Sequence, residues 1–331
     1  MKLKLTAATL AAAALALTAC GSDSSADSGE AITIVGYSVL QAANAGVIDA
    51  FKGLDGNDGV DFSESYAASG DQARAVIAGQ QADEVHLSLE PDVLKLVDEG
   101  LVAEDWKDND TAGICTTSVV VLVVRTGNPK DITDWSDLTE PGIQIVTPNP
   151  ASSGSAKWNL LAAYGSAQAD GQDPDAYMSD FFANIVSMPD SGRDATTAFT
   201  SGTGDVLLSY ENEAILARQS ATDFDYVVPD TTLLIENPCA LVEGATEKAS
   251  EFMDFQKSAE GQALYAGTGY RPITDIEPVT VDGANDPADP FPAPGTLLTI
   301  DDDFGGWAQA DTEFFDETDG TLTKLRADSG L

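Results

Sequence analysis

Residues 147–165 read TPNPASSGSAKWNLLAAYG, and the way this junction is resolved decides the fold. Pro148 and Pro150 end the apolar run GIQIV (142–146), because proline brings no N–H to a sheet. The small, uncharged residues Ser152, Ser153, Gly154 and Ser155 follow, and then SAKWNLLAAYG repeats its apolar positions at helical spacing. The unit is strand, small-residue turn, helix, and it recurs on both sides. AITIVGY (31–37) reads as a strand before an alanine-rich helix, and VDFSESY (60–66) as a strand before DQARAVIAG (71–79), a helix starting just after Ser69-Gly70. EVHLSL (84–89) reads as a strand before PDVLKLVDEG (91–100), whose leading proline suits a first helical turn. Downstream, PDAYMSDFFANIV (174–186) reads as a helix, GDVLLSY (204–210) as a strand, NEAILARQ (212–219) as a helix and DYVVP (225–229) as a strand. ATEKASEFMDFQKS (245–258), EGQALYAG (260–267) and FGGWAQADTEFFD (304–316) read as helices. Such alternation predicts an α/β fold. Two long extended runs, TTSVVVLVVR (116–125) and TTLLIENPCALV (231–242), interrupt it where the pattern restarts and closes. Crossover segments near 117–125 and 231–241 predict a hinged cleft between two lobes, 31–122 with 234–331 as lobe I and 123–233 as lobe II.

The composition narrows the function. With 43% apolar and 21% charged residues the 331-residue chain is globular. Its 55 acidic and 16 basic residues give a formal charge of −39, whose field repels nucleic acid and anionic membrane surfaces. Screening by salt relieves such self-repulsion, so the acidity reads as an adaptation to high salt. At the N-terminus, Lys2 and Lys4 precede LTAATLAAAALALTA, too short for a transmembrane span and typical of an export signal (1–19). The segment ends LTAC, which resembles a bacterial lipobox, so Cys20 is expected to carry lipid and to head a flexible tether over 20–30. Membrane association is then through the anchor alone, since VVVLVV (119–124) is too short to cross. In an exported protein Cys115 and Cys239 can form a disulfide; two buried thiols are the alternative.

Chemistry is expected at the turns. A helix N-terminus carries unsatisfied N–H donors and partial positive charge, and so accepts an anion without a lysine. Ser69-Gly70, Ser153-Gly154-Ser155 and Ser191-Gly192 each open a helix; each alone is also ordinary capping, but three from two lobes can converge on one anion. A serine hydrolase is the rival reading. It lacks a base, because His86 is the only histidine and lies within a short strand, and no SxxK, GxSxG or Walker A pattern is present. The carboxylate clusters DGQDPDAY (170–177) and TIDDDFGG (299–306) follow from an acidic composition, so no metal or cofactor is expected.

Three blocks carry a resemblance: VTPNPASSGSAKWNLLAAYG (146–165), ASGDQARAVIAGQQADEV (68–85) and GTGDVLLSYENEAILA (202–217). They resemble the sulfate-binding proteins of ABC importers, within the two-lobed periplasmic-type solute-binding proteins. The similarity covers most of 31–272, and FGGW (304–307) fits the family's C-terminal portion. It implies a type II periplasmic-binding-protein fold and a dehydrated sulfate held by main-chain N–H groups, serine hydroxyls and an indole N–H, with no contacting cation. Carried over, the ligand positions are Ser69 with Gly70, then Ser153, Gly154 and Ser155, and either Gly192 or Arg193. Tyr210 stands in the place of the indole donor, and Ser38 where many members have aspartate. The resemblance also implies a monomeric receptor without enzymatic activity, partnered by a permease and its ATPase. Thiosulfate, molybdate and phosphate are the alternative ions. Hydrogen phosphate needs an acceptor for its proton, and Asp71, Asp190 and Asp194 lie near the turns.

Overall fold

The computed structural model describes residues 31–331; the expected signal (1–19), Cys20 and the expected tether lie outside the described residues. The chain opens with three strand–helix units: β1 (Ala31–Tyr37) and α1 (Leu40–Lys52), β2 (Asp61–Ala67) and α2 (Ser69–Ile77), β3 (Glu84–His86) and α3 (Glu90–Asp98). β1 pairs in parallel with both β2 and β3, as helical crossovers require. Next come β4 (Ile114–Val124), β5 (Ile145–Val146), α4 (Gly154–Ala169), α5 (Pro174–Ala183), β6 (Ile185–Ser187), α6 (Gly192–Thr200), β7 (Val206–Tyr210) and α7 (Glu211–Gln219). The rest comprises β8 (Asp225–Val227), β9 (Thr231–Leu241), α8 (Glu247–Lys257), α9 (Ala259–Gly267), β10 (Thr296–Leu298), α10 (Ile300–Phe304), α11 (Trp307–Phe315) and α12 (Thr321–Asp328).

The sheet order is β2-β1-β3-β9-β4-β7-β5-β6, so the two 11-residue strands β4 and β9 lie at its centre and connect the two halves. They run antiparallel, with Val119 opposite Leu234 and Thr117 opposite Glu236. Beyond that overlap they diverge: Val120–Val124 of β4 pairs with β7, and Cys239–Leu241 of β9 pairs with β3. Each long strand therefore belongs to both lobes of this two-lobed α/β fold. Their apolar runs are continuous because both faces are covered. Val120, Leu122 and Val124 enter one core cluster, and Val119, Val121 and Val123 a second, as the two-residue period of a strand dictates. Cys115 of β4 and Cys239 of β9 are disulfide-bonded, with Cα atoms 5.7 Å apart.

Several elements differ from expectation. α2 starts at Ser69 rather than after Gly70, β3 ends at His86 rather than Leu89, and β5 begins only at Ile145 of the expected 142–146. The helix expected over 304–316 begins only at Trp307, as α11, because Gly305 (φ 71°) and Gly306 (φ 87°) adopt left-handed backbone and separate it from the short helix α10 before it. β10 and α12 carried no clear signal in the sequence. Residues 296–331, expected with lobe I, pack instead on β9 through β10, on α5 through α12 and on α4 through Trp307 and Asp311, with α11 also touching α3. The cause is apolar fit: a Cβ on Gly165 of α4 would come within 2.7 Å of Leu298 and 2.9 Å of Phe304, and Trp307 meets Trp158 edge-on at 4.7 Å. No helix among the described residues is long and apolar enough to cross a membrane.

Candidate anion-binding site

The starts of α1, α2 and α4 meet at one small cavity. Their N-cap residues Val39, Ala68 and Ser153 all line it, and none of the three supplies a side-chain cap. Normally such orphan N–H groups are satisfied by Ser, Thr, Asp or Asn at the N-cap. Here no side-chain cap takes them up. α1 and α4 also lack an acidic residue in the first turn, and Asp71 of α2 is occupied by Arg74. α6 behaves differently: Ser191 Oγ accepts from the Asp194 N–H at 3.1 Å, an ordinary cap.

Ser38, Ser69, Gly154 and Ser155 also line this cavity, and Ser155 is shared with an adjoining one that reaches Gly192 and Tyr210. Each cavity is about 10 Å³, room for about one water-sized group. Among the described residues, none lining either cavity is charged. Ser153 and Ser155 face each other with hydroxyl oxygens 2.7 Å apart; two hydroxyls sharing one bond leave one O–H free for a ligand. The glycines are explained by crowding. A Cβ at Gly154 would lie 2.6 Å from Ser88 Oγ, and one at Gly192 2.9 Å from Ser155 Oγ.

The model of the family described as "bacterial extracellular solute-binding protein" matches residues 32–271. The chain belongs to that family. Within it, this solute-binding protein is 40% identical to the sulfate-binding protein of Synechococcus elongatus, over 93% of this chain and 92% of that relative. It is 34% identical to the thiosulfate-binding protein of Escherichia coli, over 82% of this chain and 83% of that one. The solved sulfate-binding protein SubI of Mycobacterium tuberculosis superposes with a TM-score of 0.80 at 43% identity, covering 87% of this chain and all of that one.

In this solute-binding protein the residues singled out in the sequence take different parts. Ser69 is buried, but its hydroxyl donates to Asp92 at 2.6 Å and accepts from the Ser88 N–H at 3.0 Å, so its proton is directed away from the cavity. The Gly70 N–H donates to the Ser152 carbonyl at 3.2 Å, linking the start of α2 to the turn before α4. The Arg193 guanidinium lies 3.1 Å from Glu213, a buried carboxylate on α7 whose pKa burial raises. That pairing leaves Arg193 neutralised beside the site. Tyr210 is buried, its hydroxyl 2.7 Å from Ser88 Oγ; desolvation holds its pKa well above the usual phenol value, so it stays a donor at any working pH.

Sequence reasoning missed Ser88, Trp158 and Asn237. Ser88 lines the cavity, and its carbonyl accepts from Trp158 Nε1 at 2.9 Å and from Asn237 Nδ2 at 3.1 Å. The signal was present: EVHLSLEPDV places a serine between a strand and a proline-started helix, the same pattern that marked the other turns. Of the three aspartates weighed as proton acceptors, Asp71 pairs with Arg74, and Asp194 accepts from Ser191 Oγ at 2.7 Å. Asp190 is exposed, and none of the three lines the cavities.

Proposed function

We propose that this solute-binding protein captures sulfate between its lobes on the extracytoplasmic side of the membrane and delivers it to an ABC permease with its ATPase. The observation that carries the reading is the convergence of three uncapped helix starts and paired serine hydroxyls on a buried cavity without a charged lining residue. Each hydrogen bond to a charged group contributes about 1.5–3 kcal/mol, and each helix start about 0.3–1 kcal/mol, so several together offset the dehydration of a dianion. Sulfate carries no proton at neutral pH and suits donors alone, whereas hydrogen phosphate leaves its own O–H without a carboxylate acceptor. The anion would be held by N–H groups at the starts of α1, α2 and α4, by the Ser153–Ser155 pair and by groups near Gly192 and Tyr210. Binding proteins of this kind do no chemistry on their cargo; closure of the lobes is the event the permease would read. The sequence at Cys20 supports a lipid anchor, and the acidic surface supports a monomer.

The test is titration calorimetry on residues 21–331 with sulfate, thiosulfate, molybdate and phosphate. Strong heat with sulfate and none with phosphate is the expected outcome. A preference for phosphate would mean that a carboxylate reaches the ion and would overturn the sulfate assignment; a preference for thiosulfate would move the protein to the other relatives' specificity.

A further inference from the structure

We infer that Ser88 is a direct contact for the anion and that Tyr210 acts through it, the two forming a relay Tyr210 O–H to Ser88 O–H to anion across the lobe interface. This deepens the proposed function and rests on it. Ser88 sits in the turn between β3 and α3, on the lobe I side, whereas Tyr210 ends β7 on the lobe II side. Their hydroxyl oxygens are 2.7 Å apart and both residues are almost fully buried. Two hydroxyls hold two protons and use one between them, so one O–H remains to be donated. Position decides which: Ser88 lines the cavity shared by Ser38, Ser153 and Gly154, whereas Tyr210 lines only the adjoining one. Ser88 Oγ also lies where a Cβ on Gly154 would come within 2.6 Å, so it stands directly against the first residue of α4, whose N-terminus offers N–H donors. The phenol, the stronger donor of the two hydroxyls, then gives its proton to Ser88, and Ser88 gives its own to the ion. Each bond polarises the next.

Ser88 is also held for this task on every side. Its N–H donates to Ser69 Oγ, and its carbonyl accepts from Trp158 of α4 and Asn237 of β9. A hydroxyl whose backbone is fixed by three bonds loses little freedom on binding. Because Tyr210 and Trp158 reach Ser88 from the opposite lobe, the donor is complete only when the lobes are together, which couples recognition to closure.

Sulfate titration of the wild type, Ser88→Ala, Tyr210→Phe and the double variant, with melting of each in the absence of sulfate, separates the possibilities. The relay predicts that Ser88→Ala weakens sulfate binding by about 10- to 100-fold, the loss of one hydrogen bond to a charged group. Tyr210→Phe should weaken it by less, roughly 3- to 10-fold, and the double variant should be no weaker than Ser88→Ala. Ser88→Ala within twofold of wild type overturns the inference, as does a Tyr210→Phe loss larger than that of Ser88→Ala, which would make Tyr210 the direct donor. If Ser88→Ala does not fold, Ser88→Cys keeps the volume while weakening the donor and must itself bind at least severalfold more weakly. Wild-type protein that does not bind sulfate at all would overturn the proposed function and this inference with it.

Discussion

At the residue scale the site depends on positions where a single methyl group is too much. A Cβ on Gly154 would lie 2.6 Å from Ser88 Oγ and 2.8 Å from Leu89 Cγ, so Gly154→Ala must displace either Ser88 or the start of α4. Sulfate affinity should fall by at least about tenfold in calorimetry, one charged hydrogen bond's worth, while the fold survives. The sequence made Ser153-Gly154-Ser155 legible because small residues before a helix have few other uses. It could not reveal that the Ser69 hydroxyl is committed to Asp92, since that bond joins residues 23 apart. The pair Glu84 and His86 was equally hidden. Both lie wholly buried on β3, with Nδ1 of His86 3.9 Å from Glu84 Oε1, and desolvation keeps both neutral. Burial raises the Glu84 pKa from 4.5 to about 8 and lowers that of His86 from 6.5 to about 3. Folded Glu84 keeps its proton where the unfolded chain has lost it, so its contribution is full below pH 4.5 and is lost as pH rises to about 8. For His86 the sign reverses: stability is present above pH 6.5 and lost as pH falls toward about 3. The two slopes oppose each other between 4.5 and 6.5, the range of greatest stability from this pair. Glu84→Gln should therefore raise the melting temperature at pH 8 and lose that advantage toward pH 4; an equal gain at both pH values would show that Glu84 is ionised in the fold.

At the element scale, most strands and helices up to residue 272 were legible because the strands are alternating or fully apolar and α2, α4, α5 and α6 start at a serine, glycine or proline. The C-terminal helices were less so: α10, α11 and α12 are short, and their place on α4 and α5 comes from contacts such as Phe304 against Gly165 that no local pattern encodes. The central strands carry a second constraint. The Cys115–Cys239 disulfide joins β4 to β9 across 124 residues of chain, and a loop of that size loses much unfolded-state entropy when it is closed. Replacing both cysteines with alanine should lower unfolding free energy by about 2–5 kcal/mol. Neither cysteine lines the anion cavities, so sulfate affinity should stay within about twofold at temperatures where the variant is folded. Denaturant unfolding paired with calorimetry reads both, and a large loss of affinity would place the disulfide in the closure mechanism instead. α6 offers a contrasting case, because its Ser191 cap is used within the helix. Ser191→Ala should cost about 1 kcal/mol of stability by chemical denaturation and little affinity.

At the scale of the whole molecule, a chain of formal charge −39 must attract a dianion, and the net field opposes the encounter. An uncharged cavity lining means that short-range hydrogen bonds act only after the ion has arrived. Cations are scarce, yet four of them, Arg74, Lys95, Lys157 and Arg326, line one cleft of about 490 Å³ bounded by α2, α3, α4 and the C-terminal helices. Three of these are committed to carboxylates, Arg74 to Asp71, Lys95 to Asp92 and Lys157 to Asp311, so the cleft does not reverse the field. Screening must then help rather than hinder. Raising ionic strength from about 0.01 M to about 0.1 M shortens the Debye length from ~30 Å to ~10 Å and removes most of the repulsion at the distances where the ion approaches. The association rate constant for sulfate, measured by stopped-flow intrinsic fluorescence, should therefore rise with added sodium chloride. Receptors that draw anions through exposed cations show the opposite slope. A rate that falls with salt here would mean that the four-cation cleft dominates the local field, and would make it, not the donor-lined cavity, the first place the ion meets the protein.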